Sequence, residues 1–352
     1  HFTDGSHGSH VAGIAAGHAI GGQAGFDGIA PGARVLSLKI GDNRLAGGAT
    51  TARSMERALE YAAEWSRTRG DFVVVNLSYG VASLIEGQHG IDQVIDRLVA
   101  RHPRLAIVAS AGNEGPGLSS VGTPAGATLA FAVGALLTPD LAQDLYGARI
   151  ARERLFAFSS RGGELAKPDG LAPGVAASTV PDWESGHIFR GTSMSAPHVA
   201  GAFALLASAA LAQDPPLDIT AGMLNRAVRH TGRLIADTLP VAQGGGVVDV
   251  PAAFAALERA ARRGDARGPL GFGIETAVPT LPGGRGPAAY YRTGGYYPTA
   301  PLGQRFAVRA ILPHTLSATE RGQFLETYDL RSDARWIDVD RRVVTLRGER
   351  PS

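Results

Sequence analysis

Residues 191–201 read GTSMSAPHVAG, and the chain runs on as AFALLASAAL to residue 211. That continuation is apolar on nearly every side, the pattern of a helix buried in a large core rather than laid on a surface. Its opening is different in kind. A hydroxyl at Ser193 stands among small residues, and the spacing puts Pro197 near the first turn, where a missing N–H costs little. A helix N-terminus turns unpaired backbone N–H groups and the positive end of the helix dipole outward. A serine set there has its own N–H aimed at negative charge growing on whatever it attacks. The stretch therefore reads as an anion-stabilising cradle with an attacking hydroxyl.

Four runs upstream supply something for that helix to pack on. ARVLSLKI (33–40), FVVVNLS (72–78), RLAIVAS (104–110) and LAFAVGA (129–135) are continuously apolar rather than alternating. Each is therefore expected as a strand covered on both faces. Between them, TTARSMERALEYAAEWSRT (50–68) and GIDQVIDRLVARH (90–102) carry apolar residues at helical spacing. The alternation predicts an α/β fold, a parallel sheet with helices on both faces, with its chemistry at the carboxyl ends of the strands. At two of those ends stand Ser78-Tyr79-Gly80 and Ser110-Ala111-Gly112-Asn113. By itself AGNEGPG (111–117) also fits a plain strand-ending turn. Further on, RFAVRAIL and WIDVDRRVVTL alternate like half-buried strands. The expected division is therefore residues 1–262 and a β-rich continuation over 263–352.

Composition narrows the function classes. The chain has 352 residues, 44% of them hydrophobic, with no unbroken apolar run of membrane-spanning length. The formal net charge is +2, and Lys39 and Lys167 are the lysines among 34 basic residues, so no basic block points to nucleic acid. Neither a nucleic-acid nor a membrane partner is expected, and the tyrosines of AAYYRTGGYYPTA (288–300) read as packing rather than as a stacking platform. The absence of cysteine removes disulfides, thiolate metal sites and a cysteine nucleophile together.

Near the start, DGSHGSHVAGIAAG (4–17) sets His7 and His10 at the mouth of a helix of very small residues, expected to pack closely under the sheet edge. Two histidines three apart suit a metal, but no third ligand accompanies them, and neither metal nor cofactor is expected. His7 matters because a serine hydroxyl is inert until a neutral imidazole takes its proton. His7 can serve as that base, Ser193 as the nucleophile, and the Asn113 side-chain N–H as a second oxyanion donor.

These segments resemble the subtilisin-like serine peptidases, the subtilases. HGSHVAGIAAG, AGNEGPG and GTSMSAPHVAG stand in the family's order, with GIAPGARVLSLKI, VVNLSYG and FSSRGGELAKPDGLAPG between them, over about residues 1 to 260. The resemblance implies a subtilisin-like fold and an acyl-enzyme mechanism on peptide or protein substrates, with His7 the general base, Asn113 the oxyanion donor and Ser193 the nucleophile. It implies that Ser78, Tyr79 and Gly80 pair with the substrate backbone as an added strand, and that Ser110, Ala111 and Gly112 wall the specificity pocket. His10 and His198 resemble positions that pack around the site. Tyr79 departs from the aliphatic residue usual there, and Gly163 from the usual proline, which is read as a looser loop.

IGDNRL, VNLSYG, GPGLSSVGTPAG and STVPDW look most like the tripeptidyl-peptidase II branch. Tripeptide release, ordinary endopeptidase action and an inactive binding module on the same fold stay open, as does a homo-oligomer. A cytoplasmic location follows if the branch resemblance holds, a secreted one otherwise. An α/β-hydrolase esterase would need G-x-S-x-G and a histidine after the serine, and here His7 precedes Ser193. In the family the triad aspartate precedes the histidine at the end of a central strand. The acid before His7 in this sequence is Asp4, in a Gly-Ser turn, which reads as a loop cap. The triad carboxylate is therefore expected on an upstream strand outside this sequence, with neighbouring strand edges left open without it.

Overall fold

The computed structural model describes residues 5–42, 44–45, 48–279, 281, 283–289, 303–332, 335 and 337–348. The chain begins α1 (His7–Ala16), α2 (Ala52–Arg69), β1 (Val73–Leu77), α3 (Gly90–Arg101), β2 (Leu105–Ser110) and β3 (Phe131–Leu137). Next come α4 (Pro139–Tyr146), β4 (Arg154–Leu155), β5 (Gly170–Pro173), β6 (Val175–Ala177), β7 (Ile188–Arg190) and α5 (Thr192–Leu211). Then follow α6 (Ala221–Thr231), α7 (Pro240–Gln243), α8 (Val250–Arg262), β8 (Gly271–Ala277), β9 (Arg285–Gly286), β10 (Phe306–Ile311), α9 (Ala318–Gln323), β11 (Leu325–Asp329) and β12 (Val343–Arg347).

The central sheet is mixed. β1, β2, β3 and β5 pair in parallel, and the short β4 adds to β3 antiparallel. Every residue of β2 and β3 is buried, so both faces of these strands are covered, as their unbroken apolar runs predict. α2 and α3 pack on one another and on β1 and β2, while α5 crosses β1, β2, β3 and β5. Phe203 of α5 meets Phe131 of β3 edge-to-face, with centroids 5.3 Å apart. By length and apolarity alone α5 passes for a membrane span, but thirteen of its residues are buried against this sheet and its neighbours.

The expected strand at 33–40 does not form. The segment has no regular secondary structure and no ladder partner among the described residues, and Val35 and Leu36 stand 62% and 43% exposed. Leu38 and Ile40 still lean on the core, and Arg34 pairs with Asp71 at 3.0 Å. An apolar run gives a strand only where a neighbouring strand takes its backbone N–H and C=O groups, and the outer edge of β1 is likewise unpaired among the described residues.

α1 packs against α5, and the β6–β7 hairpin holds it, rather than lying under the sheet edge. Ser178 Oγ donates to His10 O at 2.8 Å and Thr179 Oγ1 to Ser9 O at 2.7 Å. The small residues do permit the approach. A Cβ at Gly13 would collide with the Ser178 and Thr179 hydroxyls, and one at Gly201 of α5 would lie 2.9 Å from Ala15 O.

After α8 the chain turns to small antiparallel sheets, β10-β8-β9 and the β11–β12 pair. RFAVRAIL supplies β10, but only the end of WIDVDRRVVTL enters β12. Tyr290, Tyr291, Tyr296 and Tyr297 lie outside the described residues, as does Asp4.

Candidate active site

Ser193 is the second residue of α5, half-buried between buried Thr192 and Met194. The turn into the helix depends on Gly191, whose φ of +145° is a conformation that L side chains rarely adopt. Pro197 lies in the second turn, not the first, so its missing N–H removes a helical hydrogen bond, the one to the carbonyl of Ser193. The hydroxyl of Ser78 takes that place, donating to Ser193 O at 2.7 Å and accepting from Asn76 Nδ2 at 3.0 Å. Ser193 Oγ in turn donates weakly to Ser78 O at 3.4 Å. The end of β1 and the head of α5 are thus tied in both directions, through a carbonyl that the proline sets free.

Asn113 follows β2 and is fixed from one side. Its Oδ1 accepts from Thr192 N at 2.9 Å and from Thr192 Oγ1 at 3.0 Å, and Thr192 Oγ1 also accepts from Gly112 N at 3.2 Å. The Thr192 N–H can only donate, so the oxygen of the Asn113 amide must face it and the NH₂ is left to point elsewhere. The amide nitrogen lies beside the turn: a Cβ on Gly191 would be 3.5 Å from Asn113 Nδ2 and 3.7 Å from Ser193 N. Two N–H donors, one side-chain and one backbone, therefore flank one spot beside Ser193. Thr192 is the residue that sequence reasoning missed. It is 1% exposed, and a buried β-branched hydroxyl just ahead of a candidate nucleophile is the signal that marks it.

His7 opens α1 and is solvent-exposed, yet the protein around it depresses its pKa below the ordinary imidazole value. That shift favours the neutral imidazole, the form a general base needs. No hydrogen bond joins His7 to Ser193 among the described residues, and no carboxylate is hydrogen-bonded to His7 there. His10 is fully buried, its Nε2 within 3.1 Å of Ala176 O and 3.0 Å of His187 O and its ring stacked on Phe189, with Nδ1 unpartnered. Two carbonyls facing Nε2 put the proton on that atom. His198 sits on α5 with Nδ1 2.8 Å from Met194 O. Burial lowers the pKa of both. His7 and His10 lie on α1 and His198 on α5, the two helices that pack together.

Ser78, Tyr79 and Gly80 follow β1, while Ser110 ends β2 and Ala111 and Gly112 come next, both groups at carboxyl ends of parallel strands. Tyr79 is half-buried and packs on the main core. The Ala111–Gly112 segment is held by its carbonyls, which accept from Gly122 N and Ser160 N, each at 3.0 Å. Gly112 adopts φ +116°, and a Cβ there would come within 2.7 Å of Ser160 Oγ. The loop at Gly163 is not loose. Its backbone lies against Ser119, where a Cβ would be 2.9 Å from Ser119 N.

Known proteins share this fold and much of this sequence. The family model described as "Subtilase family" matches residues 3–259. The chain belongs to the subtilase family. It is 34% identical to "Tripeptidyl-peptidase 2" of Drosophila melanogaster over 259 residues, 70% of this chain and 17% of that protein. It is 36% identical to "Tripeptidyl-peptidase 2" of Caenorhabditis elegans over 266 residues, 72% of this chain and 18% of that protein. Among solved structures it matches "Crystal Structure of Tripeptidyl Peptidase 2 (TPP II)" with a TM-score of 0.59 and 31% identity, over 77% of this chain and 20% of that one. The subtilase chain thus spans under a fifth of the length of these two relatives.

Proposed function

We propose that this subtilase chain carries the catalytic machinery of a serine peptidase that cleaves peptide bonds through an acyl-enzyme, with His7, Asn113 and Ser193 in the roles of base, oxyanion donor and nucleophile. The carrying observation is the Thr192–Asn113 clamp, which leaves the Asn113 NH₂ beside the N–H of Ser193. A substrate strand lies along Ser78–Gly80 and presents its carbonyl to Ser193. Ser193 Oγ leaves Ser78 O, gives its proton to the neutral His7 imidazole and attacks the carbonyl carbon. The oxygen that becomes negative is received by the Asn113 NH₂ and the Ser193 N–H at the positive end of α5. Collapse of this intermediate moves the proton from His7 to the leaving amine, and water releases the acyl group by the same steps in reverse.

The similarity to tripeptidyl-peptidase 2 favours removal of tripeptides from free amino ends as the specificity. The test is a fluorophosphonate probe on the whole protein and its Ser193→Ala variant, followed by mass spectrometry of products from peptides with free and blocked amino ends. Labelling that depends on Ser193 and tripeptides released only from free ends are expected. Equal labelling of the variant refutes the assignment of Ser193, and internal cleavage of blocked peptides refutes the tripeptide specificity.

A further inference from the structure

Beyond the groups that would do the chemistry, the most deeply buried carboxylate near the cleft is Glu86, fully inaccessible in the loop that follows Ser78–Gly80. Its Oε1 accepts from Val121 N at 2.9 Å, and its Oε2 accepts from Glu164 N and Leu165 N, each at 3.0 Å. Glu86 N in return donates to Glu164 Oε2 at 3.0 Å, and Glu164 is itself 3% exposed. One side chain thereby gathers three loops, 81–89, 117–123 and 159–165.

Each of these loops is joined separately to a wall of the cleft. Val81, next to Gly80, exchanges two backbone hydrogen bonds with Thr123, both 3.0 Å. Gly122 N reaches Ala111 O, and Ser160 N reaches Gly112 O. The three loops and the two wall segments form a closed ring with the Glu86 carboxylate as the node common to all three loops. Three N–H donors converge on it, and their hydrogen bonds favour the ionised form. Burial nevertheless pushes its pKa above the ordinary carboxylate value, and the neighbouring Glu164 charge adds to this. A buried charge set beside another carboxylate is a poor device for stability alone.

We propose that Glu86 is a positioning residue that sets the separation between the Ser78–Gly80 strand and the Ala111–Gly112 wall, and so the width of the pocket for the substrate side chain. The inference rests on the assignment of those two segments as substrate walls. Glu86→Gln keeps the shape but replaces one acceptor oxygen with an NH₂, which must confront N–H donors whichever way the amide turns.

The test compares Glu86→Gln with the parent protein in peptide kinetics, in the rate of labelling by a small fluorophosphonate, and in urea unfolding. A KM raised roughly 10-fold is expected, the size of one charge-assisted hydrogen bond. The preference between bulky and small residues before the cleaved bond should narrow, with kcat and labelling within about twofold of the parent, since the Thr192–Asn113 clamp is untouched. Unchanged KM and preference overturn the proposal. So does a fall in labelling and kcat that simply follows lost stability, because Glu86 then only staples the fold. If Glu86→Gln does not fold, Glu86→Asp keeps the charge on a shorter stem and faces the same criteria. Absence of Ser193 labelling in the parent itself removes the peptidase reading, and this inference with it.

Discussion

The hydroxyl of Ser78 stands in for the helical hydrogen bond that Pro197 cannot make, and the substitution of both residues gives a quantitative check. In Ser78→Ala the half-buried carbonyl of Ser193 loses its 2.7 Å donor and Asn76 Nδ2 loses its 3.0 Å acceptor. Two intramolecular hydrogen bonds at about 1 kcal/mol net each put the cost near 2 kcal/mol. In Pro197→Ala the new N–H lies four residues after Ser193 and can close the ordinary helical bond to the same carbonyl. About half of the Ser78→Ala cost should therefore disappear in the Pro197→Ala background, a coupling of about 1 kcal/mol. The assay is urea unfolding of the parent, both single variants and the double variant, with fluorophosphonate labelling to report whether Ser193 keeps its place. If Ser78→Ala costs the same in both backgrounds to within about 0.3 kcal/mol, the exchange of donors between Ser78 and residue 197 is wrong.

Four further outcomes are expected. Asn113→Asp keeps the oxygen that Thr192 needs but loses the NH₂, so stability should change little. Its kcat should drop at least roughly 10²–10³ with little change in KM, the size of effect known for a subtilisin oxyanion donor; a rise in KM alone would make Asn113 a binding residue. Gly191→Ala has ordinary room for its Cβ, 3.5 Å from the nearest atom, so its cost is conformational, about 1–3 kcal/mol from φ +145°, and an undiminished urea midpoint would contradict this. Desolvation by the protein around the exposed His7 ring lowers its pKa, so the neutral base persists below the ordinary value of 6.5 and the acid limb of Ser193 labelling should have its midpoint below pH 6.5. His10 and His198 are shifted the same way, so below that pH the unfolded chain takes up protons the folded one resists. These groups should therefore cost stability as pH falls, and removing His10 should flatten the slope.

Much of the molecule is decided by short-range pattern. After its polar opening α5 is apolar on nearly every side, and β2 and β3 are apolar but for Ser110, so burial of these elements follows from the sequence pattern alone. His7, Asn113 and Ser193 are nominated as candidates by what an activated hydroxyl requires and by where the strands end. What the tertiary structure decides is carried by side chains bonding to distant backbone, which leaves no periodicity in the letters. Ser78 reaches Ser193 across 115 positions, Asn113 reaches Thr192 across 79, and Glu86 reaches Glu164 across 78. Pro197 reads locally as harmless in a first turn and proves to expose the carbonyl that Ser78 binds. The segment 33–40 has the letters of a buried strand and lies open, because a strand is completed by its neighbour's N–H and C=O groups and not by its own side chains.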